Sequence, residues 1–62
     1  MKVEKRSEID GNITHVELTL ELISDIANYA DMTNEEVMQS LREGERIYTM
    51  VYSYKLLPGI NE

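Results

Sequence analysis

Residues 23–41 decide the fold, and they run ISDIANYADMTNEEVMQSL. Apolar residues recur in the first half at steps of three and four, a spacing that places them on one face of a helix. These residues are Ile23, Ile26, Ala27 and Ala30. A tight turn is expected at Asp31 and Met32, before a second apolar stripe begins. The stretch therefore predicts two short helices joined by a turn.

The second helix carries its own start and stop signals. Thr33 can accept a hydrogen bond from the backbone N–H of Glu36, and the Glu36 side chain can reach back to the N–H of Thr33, which makes a capping box. The apolar stripe that follows consists of Val37, Met38 and Leu41. Gly44 stands where a helix C-terminus favours a left-handed residue. We therefore predict a first helix that ends near residue 30 and a second helix over residues 34–43.

This spacing resembles that of the helix-turn-helix superfamily over about a third of the chain. The matching positions are the pair Ile26-Ala27, followed by Ala30, Asp31, Met32, Thr33 and Val37. Asp31 departs from the family, which most often has glycine there, and the second helix is more acidic than the family pattern. The resemblance implies a protein whose second helix enters the major groove of DNA. The residues that could then read base edges are Asn34, Gln39 and Arg42.

The N-terminal part of the chain, residues 1–22, predicts a β-hairpin. Residues 2–9 alternate weakly between the two faces of a strand. Asp10-Gly11 is the commonest signal for a two-residue hairpin turn, since both central positions need a positive φ. Asn12 could share the turn instead, which would shift the register by one residue.

The second arm of this hairpin, residues 13–22, fits two structures. From Val16 onward, apolar and polar residues alternate as in a half-buried strand. Thr14 and Glu17 also fit a capping box, which would open a helix here. Because β-branched residues follow the turn, we expect the segment to begin as a strand and to become a helix near Thr19, with Thr19 as a possible cap.

The C-terminal residues 45–57 are rich in β-branched and aromatic side chains and predict a single long strand. Pro58-Gly59 should stop it and leave residues 58–62 as a tail. One face of this strand would carry Tyr48, Met50, Tyr52, Tyr54 and Leu56. The predicted fold is α+β, in the order ββααβ, as one domain: a hairpin over 1–22, a helical pair over 23–44 and the final strand.

Composition narrows the class of function. Twelve acidic and six basic residues give a net charge of −6, and residues 17–45 alone carry −7. Such a charge disfavours binding to nucleic acid. Without cysteine and with one histidine, the chain is expected to hold no disulfide, metal or cofactor and to work in a reducing cytoplasm. No apolar run approaches the roughly 20 residues that cross a bilayer.

A chain of 62 residues buries a small core, which should supply only roughly 3–5 kcal/mol of stability by itself. We therefore expect a homo-oligomer. Both faces of the predicted final strand carry apolar groups, and two short helices could cover only one of them. This strand is thus expected in or beside the subunit interface.

Together these features favour a small acidic, non-enzymatic binding protein, a regulator or inhibitor of the kind that phages and mobile elements encode. Its carboxylates could dock on a basic nucleic-acid-binding surface of a host macromolecule. The expected contact residues are Glu35, Glu36, Glu43 and Glu45 as charges, and Tyr48, Tyr52 and Tyr54 as anchors. The alternative is a helix-turn-helix regulator that binds DNA as a dimer. An enzyme is the least supported class, because the sequence has neither a nucleophile constellation nor a phosphate-binding glycine loop.

Overall fold

A computed structural model describes residues 1–58 and has four strands in one antiparallel sheet with two helices on one face. The elements are β1 (Lys2–Ser7), β2 (Ile13–Glu17), α1 (Leu20–Ala30), α2 (Asn34–Arg42), β3 (Ile47–Tyr48) and β4 (Tyr52–Leu56). The strands lie in the order β2-β1-β4-β3, so β1 and β4 form the centre of the sheet. The predicted α+β class is confirmed. Residues 59–62 of the predicted tail lie outside the described part.

Helix α1 begins where the strand-to-helix change was expected. Thr19 has an extended backbone, and its hydroxyl accepts a hydrogen bond from the N–H of Leu22 at 3.1 Å, as an N-cap does. At the other end Asp31 adopts the left-handed conformation, with φ of +58°. The N–H of Met32 then donates to the carbonyl of Ala27 at 2.9 Å and satisfies one of the last helical acceptors.

Helix α2 has both of its predicted caps. The Thr33 hydroxyl accepts from the N–H of Glu36 at 3.1 Å, and the Glu36 carboxylate accepts from the N–H of Thr33 at 2.9 Å. At the C-terminus Gly44 has a φ of +81°, which an L side chain rarely adopts. The N–H groups of Gly44 and Glu45 bond back to the carbonyls of Leu41 and Ser40, both at 3.0 Å, which is the Schellman arrangement.

The first hairpin turn is longer than predicted. The Ser7 N–H donates to the Asn12 carbonyl at 2.8 Å, so the loop contains the four residues 8–11 rather than Asp10-Gly11 alone. Gly11 has a positive φ, but Asp10 does not, which excludes the type I′ turn that the two residues suggested. The Asp10 side chain instead accepts from the N–H of Asn12 at 2.9 Å and shapes the loop.

The single final strand predicted over residues 45–57 is wrong, because the chain turns back between β3 and β4. The N–H of Thr49 donates to the carbonyl of Tyr52 at 2.8 Å and closes this turn. Folding back pairs Ile47 with Tyr54 and lets both join the core. No glycine, proline, asparagine or aspartate marks the turn, so the usual sequence signals are absent from it.

The core lies between the helices and one face of the sheet. The helices contribute the apolar positions that the spacing predicted, and the sheet adds a residue from each of three strands. The buried residues are Val3, Ile23, Ile26, Ala27, Val37, Leu41, Ile47 and Tyr54. Val16, Leu22, Ala30 and Met38 are half-buried against this cluster. Neither helix of residues 1–58 is long and apolar enough to span a membrane.

The caps around the α1–α2 turn give a stability prediction. Thr33→Ala should lower the free energy of unfolding by about 1 kcal/mol, because it removes the acceptor of the Glu36 N–H, whereas Thr33→Ser should retain most of it. Asp31→Gly should be neutral or stabilising, since glycine adopts a φ of +58° without steric cost. Urea denaturation measures both effects. A large loss for Asp31→Gly would show that the aspartate side chain, not its backbone conformation, maintains the turn.

Candidate functional site

An apolar groove of about 450 Å³ lies beside α1, where the helices leave one end of the sheet uncovered. One wall is α1, the floor is formed by β1 and β4, and the far wall is the β3–β4 turn. The apolar and aromatic lining consists of Leu22, Ile26, Tyr29, Met50, Val51, Tyr52 and Tyr54. Four of these are solvent-exposed, Tyr29 at 63% and Met50 at 79% more than Val51 at 40% and Tyr52 at 37%. We refer to this surface as the tyrosine groove.

The local sequence explains why these side chains meet. Leu22, Ile26 and Tyr29 follow at steps of four and three, so they form one stripe along α1. Tyr52 and Tyr54 are two apart on β4 and therefore share the face that the helices cover. The stripe on α1 continues beyond the core. Its middle residue, Ile26, is buried, whereas its last residue, Tyr29, is largely exposed to solvent.

Two charged side chains stand at the tyrosine groove. The Lys5 ammonium lies 4.2 Å from the centre of the Tyr52 ring, which makes a cation–π contact. Asp25 lies on α1, one turn before Tyr29. Burial raises the pKa of the Tyr54 phenol, with smaller contributions from Tyr52 and Asp25. Tyr54 therefore remains neutral at physiological pH and serves as a floor for the groove.

A second, more open groove of about 390 Å³ runs between the start of α1 and α2. It brings together the three residues that the helix-turn-helix resemblance suggested, Asn34, Gln39 and Arg42. Glu35 lies in the same groove and would face the phosphates of a bound nucleic acid. Gln39 also donates to the Glu43 carboxylate at 2.8 Å, which occupies its amide within the helix.

The seven residues predicted to contact a partner do not form one site. Glu35, Glu43 and Glu45 are exposed at α2 or just after it, and Glu36 is engaged in the capping box. Tyr48 is 58% exposed but lies on the sheet face away from the helices, since it pairs with Ser53 rather than with Tyr54. Tyr54 is mostly buried in the core. Of the predicted anchors, only Tyr52 and Tyr54 come together.

Sequence reasoning missed most of the tyrosine groove. Tyr29 could have been found, because it extends the α1 stripe by one further helical step from Ile26. Met50 and Val51 could not, since their exposure depends on a turn that the sequence does not mark. Lys5 joins the groove only through the pairing of β1 with β4.

On the sheet face away from the helices, β1, β4 and Arg46 form a chain of polar contacts, and the exposed side chains of Ile13 and Tyr48 lie on the outer strands of the same face. Arg46 bonds both to the Glu4 carboxylate and, at 3.0 Å, to the hydroxyl of Ser53. Ser53 in turn donates to Glu8 at 2.6 Å, and Arg6 donates to the same carboxylate at 2.8 Å. Ser53 is fully buried beneath these side chains. The outer face of β4 therefore carries Ser53 and Lys55, whereas the prediction assumed an apolar face there. The oligomer itself stays a prediction.

These contacts shift the pKa values of two carboxyl groups. The hydrogen bond from Arg46 holds the pKa of Glu4 below its usual value. For Glu8, the hydrogen bond from Ser53 and then that from Arg6 lower the pKa. Both groups favour the ionised form in the folded state, so they stabilise the fold above the usual pKa range of a glutamate.

Charge is divided between the two layers of the molecule. Residues 19–45, which contain both helices, carry seven acidic groups and one base. Residues 1–18 and 46–58, which build the sheet, carry four acids and five bases. The helical layer therefore carries −6 and the sheet +1, so the net negative charge of the described residues lies entirely in the helical layer. No cluster of histidine and carboxylate side chains that could hold a metal ion occurs within residues 1–58.

Comparison with protein-family models, with curated proteins and with solved structures finds no match to this chain. The function is therefore inferred from the grooves and the charge alone.

The lowered pKa values predict how stability depends on pH. The unfolded state binds more protons than the folded state once the pH falls to about 4.3, the usual glutamate pKa, so stability should decrease from there downward. Glu8→Gln should make this loss of stability at acid pH less steep, because it removes one of the groups that titrate differently in the folded and unfolded states. Thermal melts between pH 7 and pH 2 measure the loss, with Glu35→Gln on the exposed surface of α2 as a matched control. An equally steep loss of stability for Glu8→Gln and the wild type would contradict the prediction.

Proposed function

We propose that this chain is a small acidic, non-enzymatic binding protein, a regulator or inhibitor that docks on a basic surface of another protein in the cytoplasm. The tyrosine groove receives an apolar side chain of the partner, and the acidic helical layer beside it attracts surrounding lysine and arginine residues. The observation that carries this proposal is the exposure of Tyr29, Met50 and Tyr52 in one concave surface next to that acidic layer.

The side chains of the tyrosine groove are of the types that proteins use in interfaces. Tyrosine and methionine are enriched in interface cores, and tyrosine is among the residues that most often dominate binding energy. A tyrosine presents a large rigid surface at a low cost in side-chain entropy. Exposed apolar side chains gathered in one patch, rather than scattered singly, are typical of interaction sites.

The charge of the helical layer favours a basic partner. A helical layer with seven acids and one base attracts cationic surfaces and repels polyanions. Surfaces that bind nucleic acid are the commonest basic surfaces of this kind, and carboxylates can take the place of phosphates on them. Small acidic proteins that phages and mobile elements encode act on host machinery in this manner, and the resemblance in size and charge supports the same role here. The proposed working form is a homo-oligomer, since the core of so short a chain is small.

A helix-turn-helix regulator is the second candidate. It is favoured by one observation, that Asn34, Gln39 and Arg42 line a common groove on α2. Glu35 in that groove and the charge of the helical layer oppose it, because affinity for DNA depends on lysine and arginine neutralising phosphates.

The docking proposal predicts that Tyr29 contributes to the binding of a basic peptide and that Tyr48 does not. A synthetic peptide rich in arginine and leucine should shift the NMR amide signals of Leu22, Tyr29 and Val51, and this binding should weaken with added salt. Tyr29→Ala should weaken it about tenfold or more, because an aromatic wall of the groove is lost. Tyr48→Ala is the matched control, since Tyr48 is exposed to a similar degree but lies on the opposite sheet face.

Tyr29→Ala should leave the urea midpoint nearly unchanged, because the side chain is largely in solvent. A glutamate- and leucine-rich peptide of equal length tests the charge requirement and should not bind. Shifts centred on Tyr48 and Ser53, or equal binding of the two peptides, would contradict the proposal.

The charge also predicts that the protein does not bind duplex DNA at physiological salt. A mobility-shift titration with mixed-sequence DNA measures this directly. Tight binding that weakens steeply with salt, and that Gln39→Ala and Arg42→Ala both reduce, would contradict the prediction and favour the helix-turn-helix candidate instead.

A further inference from the structure

We propose that two copies of this chain associate through β2, so that their two four-stranded sheets join into one continuous antiparallel sheet. This inference deepens the self-association in the proposed function and assigns it a surface. It does not depend on the tyrosine groove, with which β2 shares no residue.

The two edges of the sheet differ in what they offer to another strand. β3 is an edge of only two residues, which leaves little backbone to pair. β2 is an edge of five residues, Ile13–Glu17, and it pairs with β1 in an unbroken register. Sheet edges are commonly protected by proline, lysine or a bulge, and β2 has none of these. Its sequence, ITHVE, contains three β-branched residues.

The hydrogen bonds to β1 show which backbone groups of β2 face outward. The Ser7 N–H bonds to the Asn12 carbonyl, and the Leu18 N–H bonds to the Met1 carbonyl, both at 2.8 Å. In an antiparallel ladder bonded and non-bonded pairs alternate, so Thr14 and Val16 direct their N–H and carbonyl groups toward β1. The same groups of Ile13, His15 and Glu17 therefore point away from the sheet.

These outward groups are self-complementary around a two-fold axis. If His15 lies opposite His15 of the second copy, then Ile13 lies opposite Glu17 of that copy. Each of these three residues then exchanges both of its backbone hydrogen bonds across the axis. A shift of register in either direction leaves some of these groups unpaired, so the arrangement centred on His15 uses the edge most fully.

Charge and exposure also favour a second copy over a foreign strand. Neither helix packs on β2, so the acidic helices of the two copies do not meet at this edge. Ile13 is 52% exposed, and the second copy would cover it. Any remaining repulsion between the helical layers is screened by salt, so added salt should strengthen this association, the opposite of its effect on a basic partner.

Amide hydrogen exchange of the full chain tests the proposal, together with sedimentation equilibrium at micromolar concentration. The N–H groups of Ile13, His15 and Glu17 should be protected at high concentration and exposed on dilution. Those of Thr14 and Val16 should stay protected at both concentrations, because β1 holds them within each copy. A monomer at every concentration, or a dimer without this alternating protection, would overturn the proposal.

Two substitutions at the centre of the edge sharpen the test. His15→Pro removes an outward N–H that the single copy does not use, and should raise the dissociation constant of the dimer at least about tenfold while the monomer stays folded. Thr14→Pro removes an N–H that faces β1 and should instead lower the urea midpoint of the monomer.

If His15→Pro fails to fold, His15→Lys retains the backbone and places two like charges opposite each other, which should weaken the dimer in the same direction. An unchanged dissociation constant for His15→Lys would overturn the proposal. Tyr29→Ala separates this inference from the docking proposal, because it should weaken peptide binding without changing dimerisation.

Discussion

The pairing of β1 with β4 is the interaction on which the rest of this structure depends. It joins the first strand of the chain to the last and places Val3 opposite Leu56 and Lys5 opposite Tyr54. Each of these strands then has a partner on its other side, so the four-stranded sheet exists only if this central pair forms. The pair also places Glu4 next to Arg46 and Lys5 next to the Tyr52 ring, which shapes both faces of the sheet.

The local features could be predicted from the sequence because their partners are close along the chain. Thr19, Thr33, Asp31 and Gly44 each act on backbone groups within a few residues, and all four were expected where the structure has them. The β3–β4 turn could not be predicted in the same way. It forms because Ile47 is buried by pairing with Tyr54 and because Arg46 reaches Glu4, 42 residues away in sequence. The far wall of the tyrosine groove depends on this turn, so the sequence indicated only the stripe on α1 and the neighbouring Tyr52 and Tyr54 of β4.

The division of charge between the two layers links the two proposals. In an antiparallel pair, residues opposite each other share a face, so a dimer joined at β2 would carry both helical layers on the same side. Both tyrosine grooves would then open toward that side, and a partner with two basic sites could engage them together. Such bivalent binding can exceed the affinity of one site by a large factor without any new contact.

Site-specific photocrosslinking tests most directly whether a partner docks in the tyrosine groove. A photoreactive phenylalanine analogue replaces Tyr29 in one protein and Tyr48 in another, two positions of similar exposure on opposite sides of the sheet. Docking in this groove predicts a crosslink from position 29 alone, to a segment of the partner that is rich in lysine and arginine. A crosslink from position 48 with none from position 29, or a crosslinked segment that is acidic, would contradict it.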